Sequence, residues 1–206
     1  ERISQWEALR AIRNSASLRA ASYLAAVSMV LILVAGTIVA TQLRSSVFES
    51  RRTAVLSDAA LRFSTAQSVF DQSTASTPDQ IQESTRQLAT SLRVSASGTG
   101  AVSVLLLRSE SQSQSLRINE IVDPTVLGVI SEEMKNAVAG STDPQWQSVS
   151  IPSARDANQR VPAILVGTNV QVPRAGTHQL YIVYSLQADQ ERIDTVMGIL
   201  IFAGIP

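Results

Sequence analysis

Cysteine is absent from the 206 residues of this chain. That excludes disulfide stapling, thiol catalysis and zinc–thiolate sites, so any folded part must hold together by packing alone. Histidine occurs once, as His178. A histidine-based metal cluster is therefore impossible, and a Ser-His-Asp triad would have to use that one ring. Lysine also occurs once, as Lys135; the rest of the 17 basic residues are arginine, the usage of a GC-rich genome. Basic and acidic residues balance at 17 each, which leaves no net field for nucleic acid or a strongly charged ligand. Aromatic residues make up only 4% of the chain, so the few rings matter as core bulk. Nothing resembles a phosphate loop or a dinucleotide-binding glycine turn, and Gly98-Thr99-Gly100 is a lone turn signal. No catalytic, cofactor-binding or metal-binding set emerges.

What the chain does have is a long uncharged run, Ala20–Leu43, between Arg19 and Arg44. At about 1.5 Å of rise per residue it is long enough for a hydrocarbon core of roughly 30 Å, and it predicts a transmembrane helix. A signal peptide would have a shorter apolar region and a small-x-small cleavage site, which does not follow here. A soluble core helix would show a polar face, whereas Ser22, Ser28, Thr37, Thr41 and Gln42 are few and mostly small. Arg2, Arg10, Arg13 and Arg19 precede the run, against Arg44, Arg51 and Arg52 after it. That modest excess predicts a cytoplasmic tail over residues 1–19 and an exported chain after Arg44. A second apolar run, from residue 194 to Pro206, carries no charge after Asp194. It is too short to span a bilayer and is expected to be the start of a second span, the alternative being an apolar C-terminus. Residues 44–193, about 150 in number, are then one outer domain held between two spans.

Within that domain, residues 44–72 predict a helix continuing out of the membrane. Phe48, Val55, Ala59, Phe63, Ala66 and Phe70 form one helical face, and Val47, Ala54 and Leu61 a second stripe at heptad spacing, a candidate dimer seam. Thr77-Pro78-Asp79-Gln80 reads as an N-cap, a first-turn proline and a capping box, with Ile81, Leu88 and Leu92 on the buried face and Gly98 and Gly100 as the stop. Strands are predicted over Ala101–Arg108, Leu116–Val122, Gln145–Ile151, Pro162–Gln171 and His178–Ser185. Asp123-Pro124 opens a further helical segment ending at Gly140, with Glu132-Glu133 a solvated first turn rather than a catalytic pair. From Leu186 the helical period returns. The expected fold is α+β: a five-stranded, mainly antiparallel sheet joined by hairpins, with helices on one side.

Three groups of side chains invite a binding role. Arg108, Arg117, Arg160 and Arg174 lie on strands or their connections, and with Tyr181 and Tyr184 they could line a small-anion site or a partner surface. The alternative is solvated arginines that guard strand edges. Trp146, in a strand otherwise rich in Gln and Ser, reads as a core anchor, with an interface residue as the other option. His178 reads as a surface or loop-packing residue.

Gln145-Trp146, Pro162–Thr168, Gln179–Leu186 and Gln190, within this layout, resemble the MtrB-type sensor histidine kinases of actinobacteria. The match rests on residues 145–206; residues 44–144 fit by layout. The resemblance implies a Cache/PDC-like (PAS-like) sensor domain in a homodimeric, multi-pass membrane kinase that phosphorylates an MtrA-like response regulator. It further implies an LpqB-like lipoprotein as outer partner, and roles in envelope homeostasis, osmotic response and division. ATP and magnesium would belong to a kinase domain not contained in this sequence, and no catalytic residue carries over. The alternative outputs for the same topology are a chemoreceptor, a cyclase sensor, or a non-enzymatic scaffold that binds envelope proteins.

Overall fold

The computed structural model describes residues 16–109, 116–156 and 158–192, with residues 195 and 198. The expected tail 1–19, the connection 110–115 and the apolar run 194–206 lie outside these residues, except for backbone at 16–19 and for Thr195 and Gly198. The chain divides into two compact units, Glu1–Phe48 and Glu49–Pro206.

Helix α1, Ala16–Asp71, contributes to both units. In the first unit its segment Ala20–Val39 has a mean hydropathy of 2.2 and none of its side chains is buried. Leu24 and Ile32 are 72% and 71% exposed, surface that water disfavours and lipid does not. The hydroxyls of Thr37 and Thr41 donate back to Leu33 O and Ile38 O, so neither is left unpaired on an apolar helix. This helix is long and apolar enough to cross a membrane.

In the second unit α1 turns the predicted face inward: Val55, Ala59, Phe63, Ala66 and Phe70 are buried, and Phe48, just before the unit boundary, is half-buried. Helix α2, Pro78–Ser95, starts on the predicted capping box, with Thr77 Oγ1 accepting from Gln80 N and Gln80 Oε1 from Thr77 N. A single 3-10 turn, Ser97–Thr99, leads to Gly100, whose φ of +92° is open to glycine and costly for other residues. The sheet follows: β1 Ala101–Arg108, β2 Gln145–Pro152, β3 Arg160–Val172 and β4 Gly176–Ser185, all antiparallel, in the order β1-β4-β3-β2.

Three expectations are corrected. Leu116–Val122 is not a fifth strand, and touches the sheet through a single bridge, Leu106 with Ile121. Side chains replace the ladder there: Glu120 Oε1 accepts from Arg108 N, the Arg108 guanidinium donates to Ile118 O, and Gln82 holds both backbone groups of Asn119. The helical segment from Asp123 to Gly140 is two helices, α3 Pro124–Leu127 and α4 Glu132–Ala139, because Ser131 provides a second N-cap for Met134 N. Helices also cover both faces of the sheet, not one. Leu105, Leu165, Tyr181 and Val183 pack with Val126, Ile130, Met134 and Val138 of the α3–α4 side. The alternate residues, such as Ile164, Ile182 and Tyr184, are equally buried on the other face, where Tyr184 bonds Asp58 of α1.

Candidate functional site

Polar side chains meet where α1, the Ser97–Thr99 turn and the helical residues 187–192 come together. Arg51 of α1 is the centre. Its Nη2 donates to Thr99 O at 2.7 Å, and its Nε lies 2.8 Å from Asp189 Oδ2 as an ion pair without a well-aligned hydrogen bond. Both side chains are about three-quarters covered, so solvent screens the pair only in part. Gly100 allows this approach. A Cβ there would sit 3.2 Å from Arg51 Nη2 and 2.9 Å from Ser185 O, and Ser185 N in turn donates to Gly100 O. A shallow groove of about 310 Å³ opens beside the junction, lined by Ser97, Val102, Arg155, Gln187 and Glu191, with Arg155 and Glu191 paired at 2.6 Å.

A second polar anchor sits two turns further along α1. Asp58 accepts from Tyr184 Oη at 2.9 Å and from Arg62 Nη2 at 3.1 Å, and Arg62 also donates to Ser95 O at the end of α2. One carboxylate thus joins α1 to the interior of β4 and, through Arg62, to α2. Burial, and then the Asp58 hydrogen bond and charge, push the Tyr184 hydroxyl far above its ordinary range, so it remains a donor. Beyond it, Gln67 takes the N–H and C=O of Gln171 like a neighbouring strand.

The residues singled out from sequence are dispersed. Arg108 at the end of β1 stands opposite His178, and Arg117, near it along the chain, is exposed. Arg174 lies at that same end of the sheet, in the β3–β4 turn with φ +62°, donating to Ser76 O. Arg160 starts β3 at the opposite end and donates to Ser150 O. The four do not converge. Tyr181 and Tyr184 are fully buried on opposite faces of β4, so neither lines a surface site. Tyr181 Oη donates to Gln179 Oε1, whose amide donates to Lys135 O, holding α4 to the sheet. Trp146 is not a core anchor: it is 39% exposed on edge strand β2, under the Arg52 guanidinium at 5.0 Å, and Arg52 also pairs with Glu49. His178 is buried, not at the surface, with Nδ1 against Gly176 O and Nε2 unpartnered. Val47 is half-buried; Ala54 and Leu61 are exposed, Leu61 by 59%.

Arg51, Asp58 and Asp189 escaped sequence reasoning. A signal for one of them was present: Asp58 and Arg62 are four apart and interleaved with the core positions Val55, Ala59 and Phe63, a placement that forces their charges toward the interior. No group of three or more His, Asp or Glu side chains able to hold a metal occurs among the described residues. The arrangement has no nucleophile poised beside a base. Its charge pairs fix helices to one sheet. No family model and no curated protein matches the chain.

Proposed function

We propose that this chain is the sensor and transmembrane signalling part of a two-component histidine kinase of the MtrB type. In this reading residues 1–19 lie in the cytoplasm, residues 44–193 form a Cache/PDC-like domain outside, and the run from residue 194 begins a second span. The output is phosphorylation of an MtrA-like response regulator by a kinase domain outside this sequence, using ATP and magnesium there. An LpqB-like lipoprotein engages the outer domain, and two copies associate through the stripe Val47, Ala54 and Leu61. Arg108, Arg117 and Arg174, at one end of the sheet, serve the partner surface, with Arg160 at the other.

One observation carries the reading. The helix that contains the membrane-compatible segment Ala20–Val39 is the same helix that buries Phe63 and Phe70 under the sheet, and its Arg51 grips Asp189 on the outgoing segment. A stimulus that favours one arrangement of sheet and helices therefore acts on both segments together. A flexible Gly-Ser insertion at Arg44 in the full-length receptor tests this: regulated output should be lost while the protein still reaches the membrane. Regulation that survives the insertion refutes it. A chemoreceptor, cyclase or scaffold output is separated by assaying phosphotransfer to the response regulator directly.

A further inference from the structure

We propose that His178 makes the segment 118–121 a proton-operated latch on the edge of β1. The ring is 1% exposed, with Nδ1 3.1 Å from Gly176 O and Nε2 buried without a hydrogen-bond partner among the described residues. A carbonyl oxygen only accepts, so Nδ1 carries the proton of the neutral ring. Nε2 is then a buried lone pair, and it is where a second proton must arrive.

The charges beside that ring are the ones that hold the latch. His178 stands directly opposite Arg108 on β1 and Val170 on β3, so the three side chains share one face of the sheet. Arg108 and Glu120 are the charged groups that act on the ring. Others at this end are turned elsewhere: Asp71 of α1 is exposed and takes the Gln67 amide, Asp79 of α2 and Arg117 are exposed, and Arg174 of the β3–β4 turn donates to Ser76 O. Arg108 and Glu120 also make the side-chain bonds between β1 and the segment. The guanidinium donates to Ile118 O at 3.1 Å, and the carboxylate accepts from Arg108 N at 2.9 Å. The only backbone link beside them is the Leu106–Ile121 bridge, two bonds of 2.8 and 2.9 Å.

An imidazolium at position 178 meets the Arg108 guanidinium as a like charge across the strand pair, and it draws on the Glu120 carboxylate. One proton thus loosens both side-chain bonds: the guanidinium is driven off Ile118 O, and the carboxylate is drawn from Arg108 N. Opening also admits water to the ring, which removes the burial that opposed its charge. The ties from Gln82 to Asn119 involve no charged group, so the segment stays with α2 when it parts from β1. The sign follows from linkage. The closed latch holds a ring whose proton affinity is lowered, so opening is favoured as the pH falls below about 6.5.

The test is amide exchange on the full chain in detergent between about pH 7.5 and about pH 5.5, with each rate divided by that of an unstructured chain. His178 is the one histidine, so a single imidazole resonance reports its titration in the closed state. Exchange at Leu106, Arg108 and Ile121 should rise by up to about tenfold per pH unit below about pH 6.5, until that resonance itself titrates. The rise should be insensitive to sub-denaturing urea, the mark of a local opening. In His178→Leu it should vanish. Should that variant fail to fold, His178→Gln, whose amide can still donate to Gly176 O, replaces it. Exchange that stays flat across the range overturns the proposal, as does a rise that survives in the variant. So does a rise that grows with urea in step with exchange at Ile182 of β4, which would be unfolding of the whole unit. None of these outcomes bears on the Gly-Ser insertion, so the two readings fail separately.

Discussion

Replacing Gly167 with alanine should destabilise the second unit by an amount that its geometry sets. Gly167 stands opposite Tyr181 across β3 and β4, and an added Cβ would lie 2.4 Å from both Cδ1 and Cε1 of the ring and 3.1 Å from Val138 Cγ2. The ring has nowhere to go. It is fully buried, its hydroxyl is held 3.0 Å from Gln179 Oε1, and Gln179 is tied to Lys135 O at 2.9 Å. Overpacking of this kind costs about 1–3 kcal/mol, and losing the tyrosine hydrogen bond adds about 1 kcal/mol. Against that, removing a glycine from the unfolded ensemble returns only about 0.4–1 kcal/mol. The net expectation is a loss of roughly 2–3 kcal/mol, or a Tm lower by about 5–10 °C for a domain of this size. Thermal and urea unfolding of the full chain in detergent, followed by circular dichroism, measure it. An unchanged midpoint would refute the reasoning. So would a full cost persisting in a Tyr181→Val background, where the clashing ring is gone and most of the penalty should vanish.

Acidification should weaken the fold through His178. Burial pushes its pKa below the ordinary 6.5, the nearby Arg108 charge acts the same way, and Gly176 O and Glu120 only partly oppose them. The unfolded chain therefore takes up a proton below about pH 6.5 that the folded one resists, so stability is level above that pH and falls below it by at most about 1.4 kcal/mol per pH unit. Urea midpoints between pH 7.5 and about 5.5 should follow that course, and His178→Leu should flatten it. Asp58→Ala strands the buried Tyr184 hydroxyl and weakens the hold on Arg62, with an expected loss of about 2–4 kcal/mol, whereas Tyr184→Phe should cost about 1 kcal/mol. Equal effects from the two in urea unfolding would contradict the shared-carboxylate picture. Arg52→Ala, in a Trp6→Phe background, should shift Trp146 emission to longer wavelength and cost about 0.5–1 kcal/mol; unaltered emission would mean that the guanidinium does not cover the indole.

Local chemistry made several elements legible in the sequence. The Thr77–Gln80 box, the inward stripe of α1 and four strands are written in short-range patterns that tertiary context did not override. Leu116–Val122 alternated like a strand, but alternation describes side-chain burial, not which backbone groups pair. Ile118 is indeed buried, while Glu120 and Gln82 side chains supply most of the bonds that a neighbouring strand would have made. Trp146 misled for a related reason. An aromatic residue in a polar strand can be sheltered by a cation from one face without entering the core. The junction residues were invisible because Arg51 and Asp189 are far apart in sequence, and charge alone does not reveal which pairs meet.

The shared carboxylate of Asp58 also limits how α1 can move. A helix repeats its surface every 5.4 Å, so sliding α1 by one turn would bring Arg62 to the place now held by Asp58. Tyr184 would then face a cation with no oxygen to receive its proton. Small tilts leave the bond intact, but a full-turn step must break it and leave that hydroxyl unpaired among apolar side chains. Displacement of α1 along the sheet is thus graduated in helical turns, and the first mark on the scale is penalised.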